Sequence, residues 1–347
     1  MKLSKDPYII VPYRTYSNDQ RLYVRGRALE DQPVDLQEQQ STLRTLKNAY
    51  RVFKSDEIVG LDVTLTLPNG FTRSMKTDHE GYFLFNETLD FSLTALADDE
   101  GYVDCTVSLQ ADQVDKLKEQ GRFLAQDFKT HTLIPADTAT YGVISDIDDT
   151  IMHTGVTSFL KLKVAWNTFF KGFDRRSPLE GASEFYQQMH KGATGTDQNP
   201  IFYLSNSPWN LYTHLKKFLD FNAFPKGPIL LRDFQTPWEK QPAKDALPHK
   251  QHELENILKT YPDLNFILIG DAGEHDADYY TDVSHKFPGR ILAIYIRSVR
   301  SKSRHKKINQ KISAFKQVPM LMVDKSDIAT AHALDNGWIQ PSNEQTV

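Results

Sequence analysis

Four short stretches of this chain end apolar runs or open an amphipathic one with side chains able to do chemistry. YGVIS runs into Ser145-Asp146-Ile147-Asp148-Asp149-Thr150, and IFYLS into Ser205-Asn206-Ser207. His249-Lys250 opens an amphipathic stretch. NFILIG runs into Gly270-Asp271, with Asp276 just beyond. Each has a plain structural reading when taken alone. D-x-D-x-T is often a turn, and Gly-Asp is a common strand end. A serine after a buried strand is often a helix N-cap, which Pro208 in the next helix's first turn supports for Ser207. A lone lysine is usually a solvated helix residue. The run from Asp146 to Asp149 resists this treatment, because a buried strand end rarely carries three aspartates unless a cation neutralises them.

In combination the residues suit hydrolysis of a phosphate ester. Carboxylates hold a hard cation such as Mg2+ through oxygen. The cation offsets the repulsion between an anionic nucleophile and an anionic phosphate. One aspartate can attack phosphorus and form an acyl phosphate. A second can protonate the leaving oxygen and then activate water. A lysine and a hydroxyl can hold the other phosphate oxygens.

For these side chains to meet, the elements carrying them must share a rim. From about residue 136 to 347, short continuous apolar runs alternate with amphipathic stretches such as WNLYTHLKKFL and HKQHELENILKTY. The runs are 141–145, 201–205, 228–231, 265–270, 290–296 and 319–323. Runs apolar on both faces predict a parallel sheet covered by helices, hence a doubly wound, Rossmann-like α/β domain. Ligands of such domains bind beyond the carboxyl ends of the strands, where the four stretches lie.

Residues 1–135 differ. Leu61, Val63, Leu65 and Leu67 alternate with Asp62, Thr64 and Thr66, and Val103, Cys105, Val107 and Leu109 alternate with Asp104, Thr106 and Ser108. This period of two predicts half-buried strands, and Pro68-Asn69-Gly70 predicts a hairpin turn. A small antiparallel β-sandwich is expected, with a helical insertion over 35–53 marked by Leu36, Leu43 and Leu46. The stretch from Thr77 to Phe85 resembles the turn-then-strand signature of transthyretin-like and carboxypeptidase-regulatory-like sandwiches. No internal repeat is evident.

The chemical residues resemble the haloacid-dehalogenase-like (HAD-like) phosphatase superfamily. DIDDT stands where its first motif would be, Ser205 its second, Lys250 its third, and Gly270-Asp271 with Asp276 its fourth. YGVISDIDDTIMHTGVTS, IFYLSNSPWNLY, LIGDAGEHDADYY and FPGRILAIYIRSV are similar to the actin-patch-protein type of phosphatidate phosphatase catalytic domain, over roughly 138–300. The resemblance implies Mg2+-dependent conversion of phosphatidate to diacylglycerol. It implies Asp146 as nucleophile and metal ligand, and Asp148 as general acid and base with its backbone carbonyl on the metal. Ser205, Asn206 and Lys250 would bind phosphate, Asp271 would ligate Mg2+, and Asp276 would do so directly or through water. Thr150 would shape the loop beside the nucleophile. Asp149 and Ala272 depart from the family pattern, where Gly and Ser are frequent, and carry no assigned role.

Composition narrows the setting. Of 347 residues, 39% are hydrophobic and 25% charged, with a formal charge of -4, as in a soluble globular chain. The single cysteine, Cys105, excludes an internal disulfide and suits a reducing cytosol. The apolar run Tyr8 to Val11 is too short for a signal-peptide core, and no run reaches the roughly 18 apolar residues of a membrane span. Contact with a membrane is therefore expected to be peripheral. Two segments bear on it. In SFLKLKVAWNTFFKGF, Phe159, Leu162, Trp166, Phe169, Phe170 and Phe173 share one helical face, which reads first as core packing and second as a lid touching lipid. The basic residues Arg297, Arg300, Lys302, Arg304, Lys306 and Lys307 read first as a solvated loop leading into the last helix, and second as attraction for anionic lipid or nucleic-acid phosphate. No bulky cap separates the motifs, so large substrates are admitted. The readings in play are a phospholipid phosphatase, the same chemistry on a soluble, protein or nucleic-acid phosphomonoester, and a non-catalytic lipid- or phosphate-binding module.

Overall fold

A computed structural model describes residues 6–30, 57–148, 150–151, 178–232, 247–273, 275–298 and 302–341. The predicted helix over 35–53, the aromatic stretch with Phe159, Trp166, Phe169 and Phe170, Asp149, and Arg300 of the basic run lie outside the described residues. The chain divides into two compact units, whose described parts fall within 6–134 and 135–341.

In the first unit, alternating sequences form the strands that their periodicity predicts. β1 (Tyr8–Pro12), β3 (Arg21–Glu30) and β6 (Tyr82–Thr88) make one sheet in the order β1-β3-β6. β2 (Thr15–Tyr16), β4 (Asp62–Thr66), β5 (Thr72–Lys76), β7 (Tyr102–Leu109) and β8 (Asp127–Leu133) make a second, ordered β2-β8-β7-β4-β5. Leu22 and Val24 of the first sheet and Val63, Leu65, Val103, Cys105 and Val107 of the second are at most 1% exposed and share one core, joined by Val114 and Leu117 of helix α1 (Ala111–Glu119). The turn at Pro68-Asn69-Gly70 joins β4 to β5, with Gly70 at φ +83°, a conformation that favours glycine.

Two expectations need correction. The pairing is not antiparallel throughout, because β2 runs parallel to β8, Thr15 opposite Thr132 and Tyr16 opposite Leu133. Ser17 Oγ lies 2.7 Å from Thr132 Oγ1, and Thr130 Oγ1 donates to the Tyr13 carbonyl at 2.8 Å, so side chains anchor this short edge strand. A short motif also recurs: Asp-x-Glu-Gly-Tyr occurs at 78–82 and 98–102. Both copies fold alike. Asp78 Oδ1 accepts from the backbone N–H groups of Glu80 (2.9 Å) and Tyr82 (2.8 Å), and Asp98 Oδ1 from those of Glu100 (3.0 Å) and Tyr102 (2.8 Å). Each turn aims the strand that follows it.

The second unit carries six strands, β9 (Gly142–Asp146), β10 (Ile201–Pro208), β11 (Ile229–Arg232), β12 (Phe266–Asp271), β13 (Ile291–Arg297) and β14 (Met320–Val323). All pair in parallel, in the order β11-β10-β9-β12-β13-β14. Counted from β9 this is 3-2-1-4-5-6, the order of a doubly wound sheet. The helices are α2 (Ala182–Lys191), α3 (Tyr212–Phe221), α4 (His249–Thr260), α5 (Asp276–Lys286), α6 (Lys302–Ala314) and α7 (Ser326–Asp335). Every residue of β9 and β12 is buried, which explains why their sequences lack alternation. In its described part the basic run is not a loop leading into the last helix: Arg297 ends β13, and the residues from Lys302 on are helical. Lys302–Ala314 is itself a helix, because Ile308, 7% exposed, and Lys311, paired with Asp278 at 2.5 Å, bind one of its faces, and β14 and α7 follow it. Among the described residues, no helix is long and apolar enough to cross a membrane.

The Asx turns yield a simple test. Asp98→Ala leaves two backbone donors without their acceptor and should destabilise the first unit by about 1 kcal/mol. The urea midpoint should fall with an unchanged slope; an unmoved midpoint would refute the role given to this carboxylate.

Candidate active site

The order of the parallel strands reverses between β9 and β12, and there both end in an aspartate, Asp146 and Asp271. Apolar packing on both sheet faces carries these carboxylates into the interior, where Asp146 is 0% and Asp271 2% exposed. Asp276 opens α5 and is also 0% exposed. One carboxylate oxygen from each of the three lies within 4.8 Å of the others. Three buried anions this close need cationic compensation.

Part of it comes from Lys250. Pro248 stands at the N-terminus of α4, so Lys250 sits in that helix's first turn and reaches back toward the strand ends. Its Nζ is 2.6 Å from Asp146 Oδ1 and 2.9 Å from Asp276 Oδ1, and the side chain is 2% exposed. Hydrogen bonds supply more. Thr150 Oγ1 donates to Asp146 Oδ2 at 3.2 Å, the Asp271 N–H to Asp276 Oδ2 at 3.1 Å, and the Gly273 N–H to Asp271 Oδ1 at 3.1 Å. The three carboxylates make an all-oxygen donor set. That chemistry fits a hard divalent cation held by Asp146, Asp271 and Asp276.

The close approach of Asp276 depends on Gly270. A Cβ at 270 would stand 2.6 Å from Asp276 Oδ2, 2.7 Å from its Cβ and 2.8 Å from Tyr280 Cε2. Glycine is required here by space and not by an unusual dihedral.

A second group forms around Asp148. Ser205 Oγ donates to Asp148 Oδ2 at 2.6 Å, Ser207 Oγ is 3.5 Å from the same oxygen, and the Ser207 N–H donates to Ser205 Oγ at 2.9 Å. The expected N-cap role of Ser207 does not hold. Strand β10 runs on through Pro208, and the helical turns begin at Trp209. Ser205 and Ser207, two apart in an extended strand, face the same way. That spacing was the signal that could have paired them. Asn206 lies half-buried between them. The Asp148 carboxylate is turned to these serines, and the metal-capable cluster among the described residues does not include it.

Behind the nucleophile candidate stand hydroxyls that no local pattern announced. Ser145 Oγ donates to the Asp146 carbonyl at 2.8 Å and also contacts Tyr186 OH. Since the serine has one proton, the tyrosine supplies the other bond. Tyr280 OH donates to the Ile269 carbonyl at 2.9 Å. Burial pushes both phenols well above their ordinary range, so they remain donors.

Two substitutions test this balance of charge and space. Lys250→Met strands buried carboxylates and should cost about 3–5 kcal/mol of stability. Gly270→Ala pushes Asp276 away from Lys250 and the Asp271 N–H and should cost about 1–3 kcal/mol. Equilibrium unfolding checks both, and wild-type stability in either variant would contradict the arrangement.

Residues 141–298 match the family model described as phosphatidate phosphatase APP1, catalytic domain. A protein of Saccharomyces cerevisiae named phosphatidate phosphatase APP1 is 41% identical over 157 residues, covering 45% of this chain and 25% of that protein. An uncharacterized protein of Schizosaccharomyces pombe, C29B5.04c, is 30% identical over 231 residues, covering 66% of this chain and 35% of its own length. The chain thus aligns with about a quarter to a third of these relatives. Among solved structures, a Bifidobacterium dentium beta-glucuronidase superposes over 91% of this chain and 61% of its own, at a TM-score of 0.25 and 6% identity, and carries no argument. The strand ends that converge on Asp146 fall within the segment, residues 141–298, that matches the catalytic domain of the actin-patch-protein type of phosphatidate phosphatase.

Proposed function

We propose that this chain is a Mg2+-dependent phosphomonoester hydrolase that converts phosphatidate to diacylglycerol through an aspartyl phosphate on Asp146. In this reading residues 136–347 form a HAD-like catalytic domain, and residues 1–135 an accessory β-sandwich domain. The single cysteine suits work in the cytoplasm, at the membrane periphery. The observation that carries the reading is the bridge from Lys250 to both Asp146 and Asp276 inside a buried cluster of carboxylates. The yeast relative's name supports the choice of substrate.

Asp146, Asp271 and Asp276 would hold Mg2+, with the backbone carbonyl of Asp148 as a further ligand. Bound there, the ion neutralises charge on the transferring phosphoryl group. Asp146 attacks phosphorus as the bond from phosphorus to the lipid oxygen breaks. Asp148, oriented by Ser205 and Ser207, gives that oxygen its proton, and diacylglycerol leaves. Asp148 then takes a proton from water, whose oxygen attacks the aspartyl phosphate. The bond to Asp146 breaks and inorganic phosphate departs. Asn206 and Lys250 hold the remaining phosphate oxygens, Ser205 joins them once its hydroxyl turns from Asp148 to the bound phosphate, and Lys250 keeps Asp146 ionised and aimed. The buried Ser145 and Tyr186 hydroxyls fix the backbone behind the nucleophile.

Asp146→Asn should lower phosphate release from phosphatidate vesicles by about 10⁴-fold or more while leaving the circular dichroism spectrum unchanged. Chelating Mg2+ should abolish wild-type release. Undiminished turnover in the variant, or faster release from sugar phosphates, phosphopeptides or 3′-phosphorylated oligonucleotides than from vesicles, would defeat this function. The wild-type rate should be bell-shaped in pH, its limbs belonging to the coupled carboxylates together, and Asp148→Asn should change the shape of that profile. A flat wild-type profile contradicts the role of Asp148.

A further inference from the structure

Helix α6 bears Lys302, Arg304, Lys306, Lys307 and Lys311 and no acidic residue, in a chain whose formal charge is -4. Two of these cations hold it in place. The Arg304 guanidinium donates to the carbonyl oxygen of Gly273, in the loop that follows Asp271. Lys311 Nζ lies 2.5 Å from Asp278 Oδ1 and 3.5 Å from Thr281 Oγ1, both on α5. With buried Ile308 they form the inward face of the helix, at the spacing of successive turns. The opposite arc presents Lys306, Asn309, Gln310 and Ser313, all exposed, with exposed Lys307 at its edge.

The placement gives this arc a use. α6 follows β13, whose last residue, Arg297, pairs in register with Asp271. The helix therefore starts at the carboxyl edge of the sheet, where the candidate site lies. Its outward arc is basic and polar and carries no large apolar side chain. Such a surface adsorbs to a charged interface and does not insert into it. If the substrate is phosphatidate, it sits in a bilayer that its own headgroups make anionic. That bilayer complements a cationic arc on a helix that starts beside the candidate site.

We infer that α6 is the surface by which this chain docks on an anionic lipid bilayer, with Arg304 linking the docked helix to the Asp271–Gly273 loop. The inference rests on the phosphatidate reading, which makes a bilayer the place of work.

The test compares the full chain with its K306E/K307E variant, neither lysine being part of the proposed catalytic machinery. Adsorption is read by co-sedimentation with vesicles of phosphatidylcholine alone or mixed with phosphatidylserine, which is not a phosphomonoester. Wild type should adsorb to the mixed vesicles only, and more weakly as salt is raised. The variant should need about tenfold more anionic lipid or beyond, with its circular dichroism spectrum unchanged at the assay temperature. On vesicle phosphatidate it should lose activity through KM and not kcat, and on a dissolved short-chain phosphatidate it should match wild type. Equal adsorption by the two proteins, no adsorption by wild type, or binding to an anionic oligonucleotide with none to vesicles would overturn the inference. Charge-dependent adsorption with no phosphate released from any phosphatidate would leave the docking surface standing and defeat the proposed function. Turnover that both proteins share on vesicles would do the reverse.

Discussion

Three carboxylates with almost no access to water, brought together at the ends of parallel strands, are the constraint around which the second unit is arranged. An ionised carboxylate deprived of solvent costs several kcal/mol, and like charges add to that cost. Lys250 offsets part of it by touching two of the three, and backbone N–H groups and the Thr150 hydroxyl offset more. The three carboxylates together form an oxygen donor set that could hold a metal ion. Features that look incidental serve this balance. Pro248 starts α4 where Lys250 can reach inward, and Gly270 leaves room for Asp276.

The sheet makes the convergence possible. β9 and β12 are neighbours although more than a hundred residues separate them along the chain. Their apolar side chains bury both faces, so the first polar groups after each run emerge into the crevice and not into bulk water. The site then divides into two parts. Asp146, Asp271, Asp276 and Lys250 manage charge, while Asp148, Ser205 and Ser207 form a separate hydrogen-bonded group suited to moving a proton. The two groups differ in their hydrogen-bond partners, and a difference in environment is how neighbouring acids come to do different work.

The loop after Asp271 is held from both sides. Inside, the Gly273 N–H bonds the Asp271 carboxylate, and outside, the Gly273 carbonyl accepts from Arg304 on α6. A single peptide segment thus joins the buried carboxylates to a basic helix at the rim. This is a short mechanical path, with one hydrogen bond at each end.

Local patterns carried a good deal of this in the sequence. Period-two alternation marked β4 and β7, and continuous apolar runs marked β9, β10, β12 and β13, because side-chain burial follows backbone repeat. The aspartates of the first motif stood out because buried charge is costly wherever it occurs. Tertiary structure alone decided which polar groups meet. Ser207 left its expected cap for Asp148 because β10 continues past Leu204, and the basic residues from Lys302 on joined α6, which Asp278 on α5 holds through Lys311. The parallel pairing of β2 with β8 and the contact of Tyr186 with Ser145 likewise join residues far apart in the chain. Periodicity reports which face of an element is buried, whereas strand order and helix docking set its neighbours. Those are fixed by the packing of the whole core.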